Sequence, residues 1–192
     1  MSNLHLEKGL SLPTGFALQN PPPPVPDFPA LLRGNDTHWT NLVIRPPLTG
    51  IVCLQNLHMF VPRRGTAEKS QIDLWTKFTS GEKFTNDSLA FVLDCLPYTI
   101  EAYRPLTSDE KDAAFPIDTM FWYPTVVLNM DLKQALPDAG VEWLRLRIQT
   151  KMIRNGRLDL EVLVYNENEE LVALGHHVNL IVSAERNSAG RL

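Results

Sequence analysis

The chain has 192 residues, 44% of them apolar and 21% charged, with a net charge of −4 and a pI near 5.7. That length accommodates one domain with a sizeable core, or one domain plus a long arm. An acidic balance without a basic stripe argues against nucleic acid as a partner, and no apolar run approaches the roughly 20 residues of a membrane span.

The first residues, MSNLHLEKGLSLP, lack the basic-then-apolar order of a secretory signal. Gln19 to Pro29 reads QNPPPPVPDFP, six prolines in eleven residues. Proline fixes φ and has no N–H, so an extended spacer or surface strap is expected, with a PxxP ligand for a partner as the alternative. Further breakers stand at Pro46, Pro47 and Pro62. Residues 1–66 therefore read as an extended Pro-rich arm whose one candidate strand is Gly50–Val61. The two cysteines, Cys53 and Cys95, have no metal-type spacing and read as reduced thiols, Cys95 packing as a small hydrophobe.

From Ser70 the pattern sharpens. QIDLWTKF alternates Ile72, Leu74, Thr76 and Phe78 against Asp73, Trp75 and Lys77, which predicts a strand over Gln71–Phe78. Ser80-Gly81-Glu82 makes a turn. Thr85 or Asn86 can cap the helix that follows, and Asp87 suits the positive end of its dipole. In LAFVLDCLPYTIEAY, Leu89, Val92, Leu93, Leu96 and Ile100 keep helical spacing and Phe91 adds apolar surface elsewhere. The spacing predicts a long, mostly buried helix bent by Pro97. Asp94 is its polar exception, expected to bond to backbone or to Arg145 or Arg147.

Four strand-like runs follow a charged, proline-punctuated link: Met120–Leu132, Glu142–Met152, Arg157–Tyr165 and Glu170–Ser183. Asn155-Gly156 and residues 166–170 are hairpin turns between neighbours. One buried helix requires a curved sheet to wrap it, and the other sheet face then needs a cover, for which a second such unit is the natural candidate.

This order, with its motifs, resembles the acyl-CoA thioesterase II family. IDLWTKF, the capped turn and LAFVLDCLPYTIEAY are similar to the start of that family's second hotdog unit. FWYPTVVLNMDLKQALPDAGVEWLRLRIQ through LVALGHHVNLIVSAER resembles the rest, in its fungal thioesterase-like branch. The resemblance implies an α+β hotdog fold over 70–185, a curved antiparallel sheet around one long helix. The arm over 1–66 resembles the join after a first unit, and 186–192 reads as a flexible tail. It further implies a homodimer or pairing with another hotdog unit, and a cytoplasmic location with the peroxisome left open.

The activity so implied is hydrolysis of an acyl-CoA or other acyl thioester by directly activated water, without a cofactor or a metal. The family's second unit carries an aspartate near a strand end, a Thr or Ser on the next strand and a glutamine on the last. These positions fall on Asn129, Thr150 and His177, with Asp131 two residues beyond the first. Asparagine orients water but accepts no proton at neutral pH, whereas histidine can act as the base. The base is thus expected at His177, or at Asp131 if the alignment shifts by two. Asn86, Asp87 and Ser88, at the helix N-terminus, are expected to face the thioester oxygen. A hotdog module that binds an acyl or polyketide-like ligand without hydrolysis is the competing reading. Trp122, Tyr123 and Trp143 read as packing or interface aromatics. His176 and His177 point to opposite faces of their strand, which argues against a metal pair.

Overall fold

A computed structural model describes residues 10–44, 52–110 and 112–184. The expected tail over 186–192, Pro46, Pro47 and the start of the candidate strand Gly50–Val61 lie outside these residues. The elements are α1 (Phe28–Leu32), β1 (Trp39–Asn41), β2 (Leu57–Pro62), β3 (Gln71–Phe78), α2 (Leu89–Asp94) and β4 (Phe121–Trp122). They continue with β5 (Thr125–Leu132), β6 (Leu144–Gln149), β7 (Ile153–Arg154), β8 (Arg157–Tyr165), β9 (Leu171–Leu180) and β10 (Val182–Ser183). The main sheet is antiparallel in the order β1-β2-β3-β6-β8-β9-β5, and α2 lies against it.

Two expectations need correction. The segment over 1–66 is not only an arm, because β1 and β2 join the sheet at its β3 edge. The helix is also shorter than its apolar spacing predicts. It ends at Asp94, and Thr99–Tyr103 forms a separate 3-10 turn. Pro97 is the cause: it has no N–H to donate, and it steers Leu96 away from helical backbone.

Alternation in the strands sorts residues onto two faces. Leu74, Leu144, Leu146, Ile148, Leu158, Leu160, Val162 and Val164 pack inward against Leu89, Val92 and Leu93 of α2. The inner face of β9 carries Ala173, Gly175, His177 and Asn179, all buried. A Cβ built on Gly175 would stand 2.8 Å from Cδ2 of the fully buried Leu93, so an added methyl would force that packed side chain to shift. Gly175→Ala is therefore expected to cost about 1–3 kcal/mol by overpacking. Denaturant melts would measure it, and an unchanged midpoint would mean α2 has slack.

The outer face is half covered by the chain itself. Trp39, Phe60, Trp75 and Trp143 form a second core with Leu31 and Phe28 of α1. Asp27 caps α1, its carboxylate accepting from Ala30 N at 3.0 Å. The Pro24 carbonyl accepts from Trp39 Nε1 at 2.8 Å, and Arg147 donates to the Gln19 and Asn20 carbonyls at 2.7 Å each. Trp143 is thus a packing residue, and Tyr123 is buried too. At the other end the edge strand β5 leaves Val126, Val127 and Met130 exposed, with Trp122 of β4 beside them.

Candidate active site

The inner face of β9 meets the C-terminal end of α2 in a polar cluster. His177 is 1% exposed and Asn179 is fully buried. Neither ring nitrogen of His177, nor Oδ1 of Asn179, has a well-formed hydrogen bond among the described residues. Asn179 Nδ2 donates to Thr125 Oγ1 at 2.9 Å, and Thr125 Oγ1 donates to Asp94 Oδ1 at 3.2 Å. Asn179 Nδ2 also reaches the Tyr98 hydroxyl at 3.5 Å. Burial drives the His177 pKa below its ordinary value, while the Asp94 carboxylate and the Leu93 carbonyl pull it partly back up. The ring is thus held neutral and able to accept a proton near pH 7.

Tyr98 is also a wall of an apolar cavity of about 380 Å³, lined among others by Leu42, Leu54, Met59, Ile72 and Leu96. Its hydroxyl donates to the Tyr123 carbonyl at 3.2 Å, and its ring stacks on Tyr123 at 4.4 Å. The Tyr123 hydroxyl is hydrogen-bonded to Glu101, which also holds Arg104 through two bonds, the shorter 2.6 Å. Burial, reinforced by Glu101, pushes the Tyr123 pKa up. These side chains fix the 98–104 segment as the wall between cavity and cluster.

The residues singled out in the sequence do not all assemble here. Thr150 is on the helix side with His177, but β8 separates them, a gap of roughly 10 Å at ordinary strand spacing. Its hydroxyl donates to the Asp159 carbonyl at 2.9 Å and pairs with Thr99 Oγ1 at 2.6 Å. Asn129 is exposed on the outer face, in register with His176 and, beyond it, Glu161. Asp131 is exposed too and pairs with Lys133. With His176, Asn129 and Asp131 line a groove of about 770 Å³ that the sheet separates from His177.

Asn86, Asp87 and Ser88 stand at the N-terminal end of α2, whereas His177 lies under its C-terminal end. Asn86 is engaged in structure: its Oδ1 accepts from Leu136 N at 2.8 Å. Ser88 Oγ accepts from Thr85 N at 2.9 Å, and Asp87 is exposed. Asp94 is exposed rather than buried, and it pairs with neither arginine, since Arg147 binds Asp73 and Arg145 lies near Glu169. Thr125, Asn179 and Tyr98 are the members of the cluster that motif reading missed. Asn179 had a signal, since it shares the alternating face of His177. Thr125 had none, because a backbone irregularity between Thr125 and Val127 resets its face.

Residues 22–181 match the acyl-CoA thioesterase C-terminal domain family. The chain belongs to this family. A curated relative, the thioesterase-like protein TwmA of Talaromyces wortmannii, is 35% identical over 208 positions, covering 97% of this chain and 60% of its own length. The chain thus spans 60% of the length of that relative. Among solved structures, a hot dog fold protein from Alicyclobacillus acidocaldarius superposes with a TM-score of 0.62 at 13% identity, over 92% of this chain and 59% of the other. A candidate thioesterase II from Thermobifida fusca YX gives 0.56 at 16% identity, over 89% and 56%. The fold of this thioesterase-family chain is the hotdog fold, a sheet carrying one packed helix. No helix among the described residues is long and apolar enough to cross a membrane.

Proposed function

We propose that the chain is the water-activating unit of an acyl-thioester hydrolase, with acyl-CoA as the substrate class and His177 as the proton acceptor. One observation carries this reading. His177, buried with both ring nitrogens lacking well-formed bonds, shares the inner face of β9 with Asn179, whose bonds to Thr125 and the Tyr98 hydroxyl link it to the Asp94 carboxylate and to the wall of an apolar cavity. Water held by Asn179 Oδ1 and the His177 ring would lose its proton to the imidazole as it attacks the thioester carbonyl. The thiolate then leaves, taking that proton, and no acyl-enzyme forms. The cavity suits the apolar acyl chain.

A second hotdog unit completes this reading, either fused in a longer chain or as a second copy. The exposed apolar strand β5 is an open sheet edge, which a paired strand would cover. Sedimentation is expected to show a dimer at micromolar concentration, and a strict monomer would count against a second copy. The non-catalytic reading has its own support, because Asn129 replaces the family aspartate and lies across the sheet from His177. A panel of acyl-CoA substrates with free-thiol detection separates the two. Turnover of at least one acyl chain above the buffer rate is expected, and saturable binding without thiol release would establish the binding module instead.

A further inference from the structure

Seven buried side-chain atoms lack a hydrogen-bond partner among the described residues, and they fall in two places. Three belong to His177 and Asn179. The other four are Trp75 Nε1, Arg145 Nε and Nη1, and Tyr165 Oη, on the opposite face of the sheet. Arg145, 3% exposed, is the cross-strand partner of Trp75 on β3 and of Tyr165 on β8. The three therefore form one row, with neighbouring Cβ atoms about 5 Å apart. The Arg145 guanidinium lies over the Tyr165 ring, 4.1 Å from its centre. Its ion pair is loose, with Glu169 Oε1 at 3.5 Å from Nη2, longer than a good hydrogen bond. Arg147, equally buried on the same strand, differs: Asp73 and two arm carbonyls take up all three of its nitrogens. Burial lowers the Arg145 pKa, and Glu169 restores it only in part.

A buried cation with unpartnered donors calls for an anion; water can accept from the N–H groups but leaves the charge uncompensated. Tyr165 and Glu169 both line the 770 Å³ groove, so the guanidinium stands directly behind its wall. Phe16, Leu163, Leu171 and Leu174 give that groove an apolar lining. Glu161 and Asp131 border it too, but each is paired with a lysine, Lys151 and Lys133. We propose that this groove binds a monocarboxylic acid with an apolar body, whose carboxylate replaces Glu169 on Arg145. The Tyr165 hydroxyl is a further donor on the groove wall, and the body of the acid lies along Phe16 and the leucines. Glu169 is half exposed, and no hydrogen bond holds its carboxylate among the described residues, so it can swing into solvent. A single negative charge fits, because Asp73 already matches Arg147 and only Arg145 is left to neutralise. The sheet separates this groove from His177, and binding there stands whether or not the chain hydrolyses thioesters.

Sodium octanoate is the probe, titrated calorimetrically into the full chain at neutral pH. Saturable binding with a Kd below about 1 mM is expected, and none from octanol, which has the tail without the charge. Glu169→Gln removes the competing carboxylate at a half-exposed position, so octanoate affinity is expected to rise about threefold to tenfold. Arg145→Met keeps buried volume without the charge, and affinity is expected to fall at least about tenfold. Equal affinity in the native chain and Glu169→Gln overturns the proposal even if Arg145→Met does not fold, and assigns the octanoate to the apolar cavity beside Tyr98. An absence of binding to both overturns it as well, leaving water as the partner of the row. Inorganic phosphate that displaced octanoate at equal concentration would overturn the assignment to a monocarboxylate.

Discussion

His177→Ala is expected to lower acyl-CoA hydrolysis by about 10²–10⁴-fold, the range a positioned general base contributes. His177→Gln is the sharper variant. Glutamine keeps hydrogen-bonding capacity at the position but accepts no proton near neutrality. A glutamine variant as slow as the alanine one supports proton acceptance, and one that keeps the native rate assigns His177 to water orientation alone. The pH dependence gives an independent sign. The base must be neutral, and burial lowers its pKa below 6.5, so the rate should rise with pH on the acid side and reach its plateau by neutrality. The same shift makes a stability statement. Between the folded and unfolded midpoints the unfolded chain binds more protons at this residue. Its contribution is therefore complete above the unfolded pKa and lost as pH falls towards the folded one. His177→Gln should remove both the acid limb of the rate profile and this part of the acid sensitivity.

The largest stability loss is expected at Arg147. Its guanidinium meets Asp73 through two bonds of 2.8 and 2.9 Å, with both side chains 4% exposed, and it also holds the arm through two backbone carbonyls. Arg147→Ala leaves a buried carboxylate with only Gln71, whose Nε2 donates to it at 2.9 Å, and is expected to cost about 3–5 kcal/mol. For a chain of this size that lowers the melting temperature by roughly 6–20 °C. The arm should loosen as well, so limited proteolysis is expected to cut between residues 14 and 26 faster than in the native chain. Arg147→Met combined with Asp73→Leu should recover most of the loss, because no charge is then left unpaired. A small effect of Arg147→Ala, with the arm still protected, would show that the outer aromatic cluster holds it without the arginine.

What sequence alone made legible follows the two backbone periods. The alternation in QIDLWTKF predicts β3 with the bounds observed, Gln71–Phe78, and the turns at Asn155-Gly156 and 166–170 separate β7, β8 and β9 where expected. Alternation in LVALGHHVNLIV groups His177 with Ala173, Gly175 and Asn179 on one face, and in the structure that face is the buried one towards α2. Such patterns are local, because neighbouring side chains must leave a strand on opposite faces. Helix length was harder to read: apolar spacing continues to Ile100, but proline ends the helix at the turn before it, so the backbone rule overrode the packing signal.

Only tertiary structure decided which groups gather around Asn179, the neighbour of His177 on the inner face of β9. Asp94, Thr125, Asn179 and Tyr98 come from α2, β5, β9 and the segment after Pro97. Their distances apart in the chain say nothing of their contact, which depends on strand order and on a register shift at Thr125/Val127. The same register set Asn129 opposite His176 rather than His177, so aligned motif positions fell on opposite sides of one sheet. Covering of the outer face was also a matter of tertiary placement, since Pro-rich chain reads as extended wherever it lies. Three carbonyls of that arm, accepting from Trp39 and Arg147, determined which half of the sheet it shields and which half β5 leaves open.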